Sequence, residues 1–183
     1  MLDLVLERRR SVVAGTGPYF VDDVNNVRKQ LIAFNPTSTR PSDQTWLDVE
    51  SKALVEVTSE ANGYPIESAL IGEVESGWRA AKPGAQMIRL VFDEPQRLRH
   101  IFLVFEDTEN TRTQEFVLRW SPDGGHSLRE IVRQQWNFSP PSSVREVEDY
   151  AVELSAVTVL ELTIVPDKSG GEARASLMSL RLA

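Results

Sequence analysis

The chain contains no cysteine. That excludes disulfides, thiolate metal sites and a cysteine nucleophile together. It also suits a reducing compartment, so the expected location is the cytoplasm. Histidine is almost as scarce: His100 and His126 are the only two, and neither stands at ligand spacing from the other or from a tight carboxylate cluster. His100 precedes an expected strand and His126 follows a turn, so both read as structural or exposed groups rather than general bases. Long apolar runs are missing too, and nothing approaches the ~20 residues of a membrane-spanning helix. Met1 to Leu6 is too short for a secretory signal, and the apolar stretch after Arg8-Arg9-Arg10 ends at Gly15-Thr16-Gly17-Pro18.

Catalytic signatures are likewise absent. There is no nucleophile elbow, phosphate loop, dinucleotide fingerprint or paired-histidine zinc motif. The acidic neighbours Asp93-Glu94, Glu106-Asp107 and Glu146, Glu148, Asp149 fall in expected turns and loops, where solvated charge is the default. The chain is therefore expected not to be an enzyme and to need no cofactor. A net charge of −7 and a pI near 5.0 repel phosphate backbones, which excludes nucleic acid as the expected partner.

What remains is an ordinary globular composition, 41% hydrophobic and 26% charged, over 183 residues, enough for one domain with an added arm. Asp22 can cap a helix whose apolar residues Val24, Val27, Leu31 and Phe34 recur at helical spacing until Pro36. With the turn-rich stretches around it, this makes residues 1–45 an N-terminal arm with one short helix. From Trp46 onward the chain changes to short β-prone runs: Ala53 to Thr58, Met87 to Phe92, Ile101 to Phe105, Phe116 to Trp120, Val157 to Val165 and Ser176 to Leu182. Turn chemistry separates them, most clearly Ser121-Pro122-Asp123-Gly124-Gly125, where Pro presets one torsion and Gly accepts positive φ. No helical pattern alternates with the strands, so residues 46–183 are expected to form an antiparallel β-sandwich with a hairpin turn at Pro122 to Gly125. An eight-stranded barrel is the competitor, but it requires longer and more evenly spaced strands. Trp78 and Trp120 read as core fillers.

The loops carry the candidate site. Glu106 to Gln114 is a nine-residue polar connection in which Arg112 and Asn110 can hydrogen-bond hydroxyls or anions. Arg112, read as a loop residue, is expected to contribute little to the core. Trp136-Asn137-Phe138 places an amide between two aromatics in another connection. Those rings either stack on sugars or plug the end of the sandwich. Tyr64 and Arg79 pose the same alternative.

In order along the chain, Val57-Thr58-Ser59-Glu60 with Tyr64-Pro65 and Ser76-Gly77-Trp78, then Met87 to Leu98, then Phe116 to Gly125, then Ala175 to Leu182 resemble the discoidin family. That family is also called coagulation factor type C, or galactose-binding-like, and includes family-32-like carbohydrate-binding modules. The resemblance implies an all-β jelly-roll sandwich with ligand contacts in loops at one end. It also implies a calcium ion in many members, held by an Asp before a Gly, a Thr, backbone carbonyls and a Glu on the last strand. This chain has Ile71 before Gly72, Ser76 for the Thr and Ser179 for the Glu. Without both carboxylates a hard cation loses the charge it prefers, so no metal is expected unless Glu73 and Glu75 substitute. The expected function is non-catalytic binding of a carbohydrate or other small polar ligand. The alternative is a protein-interaction or assembly module using the N-terminal arm, with a protein partner or a homo-oligomer.

Overall fold

A computed structural model describes residues 45–71 and 76–183. The expected arm and its helix, together with Glu73 and Glu75, lie outside the described residues. The elements run β1 (Ala53–Val57), α1 (Glu67–Ile71), β2 (Trp78–Pro83), β3 (Gln86–Glu106), β4 (Arg112–Ser121), β5 (Arg129–Phe138), β6 (Arg145–Val165), β7 (Arg174–Leu177) and β8 (Ser179–Leu182). Every strand pair is antiparallel. No described helix is long and apolar enough to cross a membrane.

The frame is β3 paired with β6, each 21 residues long. Their register slips between Val91 and His100, and this is where the ribbon turns back on itself. A ring contact fixes the turn. Phe116 lies opposite Ile164, which lies opposite Gln86 at the start of β3. Phe105 sits at the far end of that 21-residue strand, roughly 60 Å away if the strand were straight. Yet Phe105 and Phe116 stack with ring centroids 5.0 Å apart. The ribbon must therefore supply both layers of the sandwich. Its first half in β3 and last half in β6 carry β1, β4 and β5, and the opposite halves carry β8.

Alternation follows from this layering. Ile88, Leu90, Leu98, Ile101, Leu103 and Phe105 of β3 all face one core, together with Phe116 and Leu118 of β4 and Leu160, Leu162 and Ile164 of β6. Trp78 is 1% exposed in that core, as its sequence context implies, and Trp120 packs at its margin. The hairpin turn joins β4 to β5 where expected: Asp123 accepts the backbone N–H of Ser127 at 2.9 Å, and the N–H of Gly125 donates to Ser121 Oγ at 3.0 Å.

Four expectations are corrected. Met87 to Phe92 and Ile101 to Phe105 are one bent strand rather than two strands joined by a turn at Asp93-Glu94-Pro95. Trp136, Asn137 and Phe138 end strand β5 rather than occupying a connection. Residues 145–156, including Glu146 and Glu148, are strand rather than loop. Ser176 to Leu182 is broken at Met178, whose N–H donates to Val104 O at 2.8 Å as the chain passes from β7 to β8. In the first three cases paired backbone and buried neighbours outweigh a weak local β signal; in the fourth the chain leaves one sheet for another.

Two backbone positions make opposite predictions. Gly77 has φ +58°, and a Cβ there would lie 2.6 Å from Leu177 O and 2.8 Å from Met178 Cα, so Gly77→Ala should cost about 3 kcal/mol. Ala156, in the slipped part of β6, is held at φ 60°. Ala156→Gly should therefore raise stability by about 1 kcal/mol, against the usual penalty for glycine in a strand. Urea unfolding of both variants measures the contrast.

Candidate functional site

Groove construction begins with the two-stranded ribbon of β2 and β7, in which Arg79 lies opposite Ser176. Trp78, Ala80, Ala175 and Leu177 point into the core. The alternation therefore turns Arg79, Arg174 and Ser176 to the outer face. Two backbone bonds tie this ribbon to the segment around Tyr64: Ala61 N–H donates to Arg79 O at 2.8 Å, and Arg79 N–H to Tyr64 O at 3.3 Å. The Arg79 guanidinium then lies over the Tyr64 ring, 5.2 Å from its centroid, an attraction that limits how far the long side chain swings.

The loop from Asp107 to Thr111 forms one wall. Asp107 Oδ1 accepts the N–H groups of Glu109 at 3.0 Å and Asn110 at 2.9 Å, the self-closing turn typical of Asp. Asp107 Oδ2 accepts Arg112 Nε at 2.6 Å. Burial works to raise the Asp107 carboxyl, but the bonds from Arg112, Asn110 and Glu109 outweigh it and hold it below the usual range. The opposite wall is the turn from Asp167 to Ala173. Between them is a groove of about 490 Å³, which shares Arg79, Asp107 and Ser176 with an adjoining lobe of about 280 Å³ beside Tyr64 and Trp78.

Arg112 overturns its sequence reading. It opens β4 rather than lying in a loop, and only 2% of its side chain is exposed. Nη1 donates to Gln114 Oε1 at 3.0 Å and to the carbonyl of Pro166, and the guanidinium lies 4.9 Å from the centroid of the Phe138 ring. The side chain is thus a strut joining both groove walls to β5, and its expected small contribution to the core does not hold.

The other predicted residues divide by place. Tyr64, Arg79 and Asn110 meet with the edge of Arg112 around the main groove and its lobe. Asn137 and Phe138 lie across Arg112, in a shallower depression lined by Thr113, Ser139 and Lys168. There Asn137 Oδ1 accepts Thr113 Oγ1 at 2.8 Å, and Phe138 is fully buried. Trp136 lines neither depression; it packs against the core opposite Gln114. Glu109 belongs to the polar connection marked in the sequence, whereas Arg174 and Glu172 line the groove with nothing in their sequence context to mark them. The histidines are structural or exposed, as expected: His100 pairs with Asp149 and packs edge-on against Trp46, and His126 sits in the β4–β5 turn.

Beneath the groove lies Glu146, 1% exposed and with neither carboxylate oxygen hydrogen-bonded to a described residue. Burial, with the neighbouring Glu148 carboxylate, pushes its carboxyl up to about 8, against the pull of Arg112. The expected solvated loop charge is instead a buried acid whose surroundings favour the protonated form.

Removing Arg112 strands Asp107 as an unpaired, mostly buried carboxylate, so Arg112→Ala should lower the unfolding free energy by about 3 kcal/mol in urea titration. Glu146 predicts a pH dependence. The folded protein keeps this proton between the ordinary value of 4.5 and about 8 while the unfolded chain releases it. Its contribution is complete below 4.5, declines as pH rises, and is lost beyond about 8. Glu146→Gln should flatten that decline in melting temperature measured against pH.

No family model and no curated protein sequence matches the chain. Solved structures do. A pectin-binding carbohydrate-binding module superposes with a TM-score of 0.54 at 17% identity, covering 72% of this chain and 89% of its own. The family 32 module of AlyQ, in complex with 4,5-unsaturated mannuronic acid, gives 0.54 at 15% identity over 76% and 98%. The family 32 module of Clostridium perfringens NanJ, in complex with galactose, gives 0.53 at 15% over 73% and 95%. The fold of this chain is that of the family 32 carbohydrate-binding modules, a discoidin-like, galactose-binding-type β-sandwich.

Proposed function

We propose that the chain is a non-catalytic carbohydrate-binding module whose ligand lies in the groove between the Asp107–Thr111 loop and the Asp167–Ala173 turn. One observation carries this reading. The groove floor presents the guanidinium of Arg79, already set against Tyr64, beside the exposed amide of Asn110 on a loop fixed by Asp107. A saccharide needs an array of donors and acceptors whose positions are set before it binds, since ordering side chains on binding costs affinity. The structural neighbours include modules in complex with galactose and with an unsaturated mannuronic acid, and one described as pectin-binding. These lend support to a sugar as the ligand class. Docking of a protein on the sandwich has less support: among the described residues the exposed large apolar side chains Trp46, Leu54, Tyr64, Ile71, Leu128 and Val147 stand on six separate segments.

A glycan array followed by calorimetric titration tests the proposal. A bound glycan is expected, with Arg79→Ala and Tyr64→Ala each weakening it about tenfold while leaving the melting temperature within a few degrees. If Asn137→Ala abolishes binding and Arg79→Ala does not, the ligand lies in the shallower depression. Absence of any glycan ligand overturns the reading.

A further inference from the structure

The groove carries an arrangement of charge that narrows the ligand class. Five carboxylates line it, with three arginines. Arg112 is committed to Asp107. Glu106 pairs with Arg145 at 3.1 Å, and Asp167 turns Oδ1 into its own turn, where it accepts both the N–H and the hydroxyl of Ser169. That leaves Glu109, Glu172 and the still-charged Asp167, with its Oδ2 unbonded among the described residues, in the walls, and Arg79 and Arg174 on the floor. Among the described residues neither floor arginine forms an ion pair or a side-chain hydrogen bond to a protein oxygen; Arg79's sole described side-chain partner is the Tyr64 ring.

Placement of the two arginines is imposed by the strands. Arg79 stands opposite Ser176, and Arg174, two positions before Ser176 in β7 and opposite Pro83 across a register shift, lies on the same outer face. Both long side chains line the same groove, within reach of one ligand group. Both guanidiniums sit on a ribbon whose other face is packed against the core by Trp78, Ala80, Ala175 and Leu177, so the pair is carried by rigid backbone.

We propose that Arg79 and Arg174 form a carboxylate-binding pair and that the saccharide held in this groove is a uronate. This rests on the carbohydrate-binding reading and deepens it. The planar guanidinium fork matches the two oxygens of a carboxylate, and a partner left in water between two cations is held by charge as well as by hydrogen bonds. Glu109 and Glu172, acceptors only, take hydroxyl protons from the rest of the sugar and repel a second acidic group at the walls. The groove thus selects one carboxylate at the floor with neutral hydroxyls above it.

The test compares, by calorimetric titration, oligogalacturonate and oligomannuronate with the same oligosaccharides after chemical reduction of the carboxyl groups to alcohols. One uronate is expected to bind at least about tenfold more tightly than its reduced form, and to weaken several-fold between 50 and 300 mM salt, roughly as screening of a partly exposed ion pair requires. Arg79→Gln and Arg174→Gln should each weaken the uronate several-fold more than the reduced form, removing most of the difference between the two. Equal or tighter binding of the reduced oligosaccharides overturns the uronate proposal and leaves the carbohydrate reading standing. A uronate preference that survives both substitutions overturns the assignment to these arginines. Failure of every saccharide, acidic or neutral, removes both.

Discussion

The long pairing of β3 with β6 is the constraint on which everything else depends. Each strand would be far too long for one layer of a small sandwich, and the slip in register between Val91 and His100 lets a single ribbon contribute to both layers. Folding it back brings Phe105 onto Phe116 and closes one core between the two halves. It also places the end of β3 and the start of β4 at one edge, so the loop from Asp107 to Thr111 lies beside the β2–β7 ribbon. The groove is a consequence of this folding back.

Arg112 links that geometry to the groove. A guanidinium almost withdrawn from water is costly unless its buried donors are used, and here Nε donates to the Asp107 carboxylate and Nη1 to the Gln114 amide oxygen and the Pro166 carbonyl. Its position ties together the loop after β3, the strand β4 and the turn after β6. Burial and the neighbouring Glu148 favour the protonated form of Glu146 beside it, which limits unpaired charge in the same low-dielectric layer. The polar interior at this end of the sandwich is therefore a means of holding the groove walls, while the groove's own surface is left to residues that face water.

Residues in that second set were partly legible beforehand. Tyr64, Arg79 and Asn110 were picked out by type and by their position in expected loops, and they do share one groove. Trp136 and Phe138 were picked out by the same logic and are structural, one packed against the core and one wholly buried. The difference is that β5 alternates: Trp136 and Phe138 point inward while Asn137 points out. A run of polar residues around two aromatics hides that alternation, and only the pairing of β5 with β4 reveals it.

From the amino-acid order alone came the all-β antiparallel class, the turn at Pro122 to Gly125 and the discoidin-like succession of motifs. These depend on local torsions and on period-two patterning, which neighbouring residues record. The tertiary structure alone decided that Met87 to Phe105 is one bent strand, that Arg112 is buried while Arg79 and Arg174 are not, and that Arg174, distant in sequence, joins Arg79 on one face. Burial and proximity are set by which strands pair and where the ribbon bends. Those are relations between segments far apart in the chain, and no local pattern encodes them.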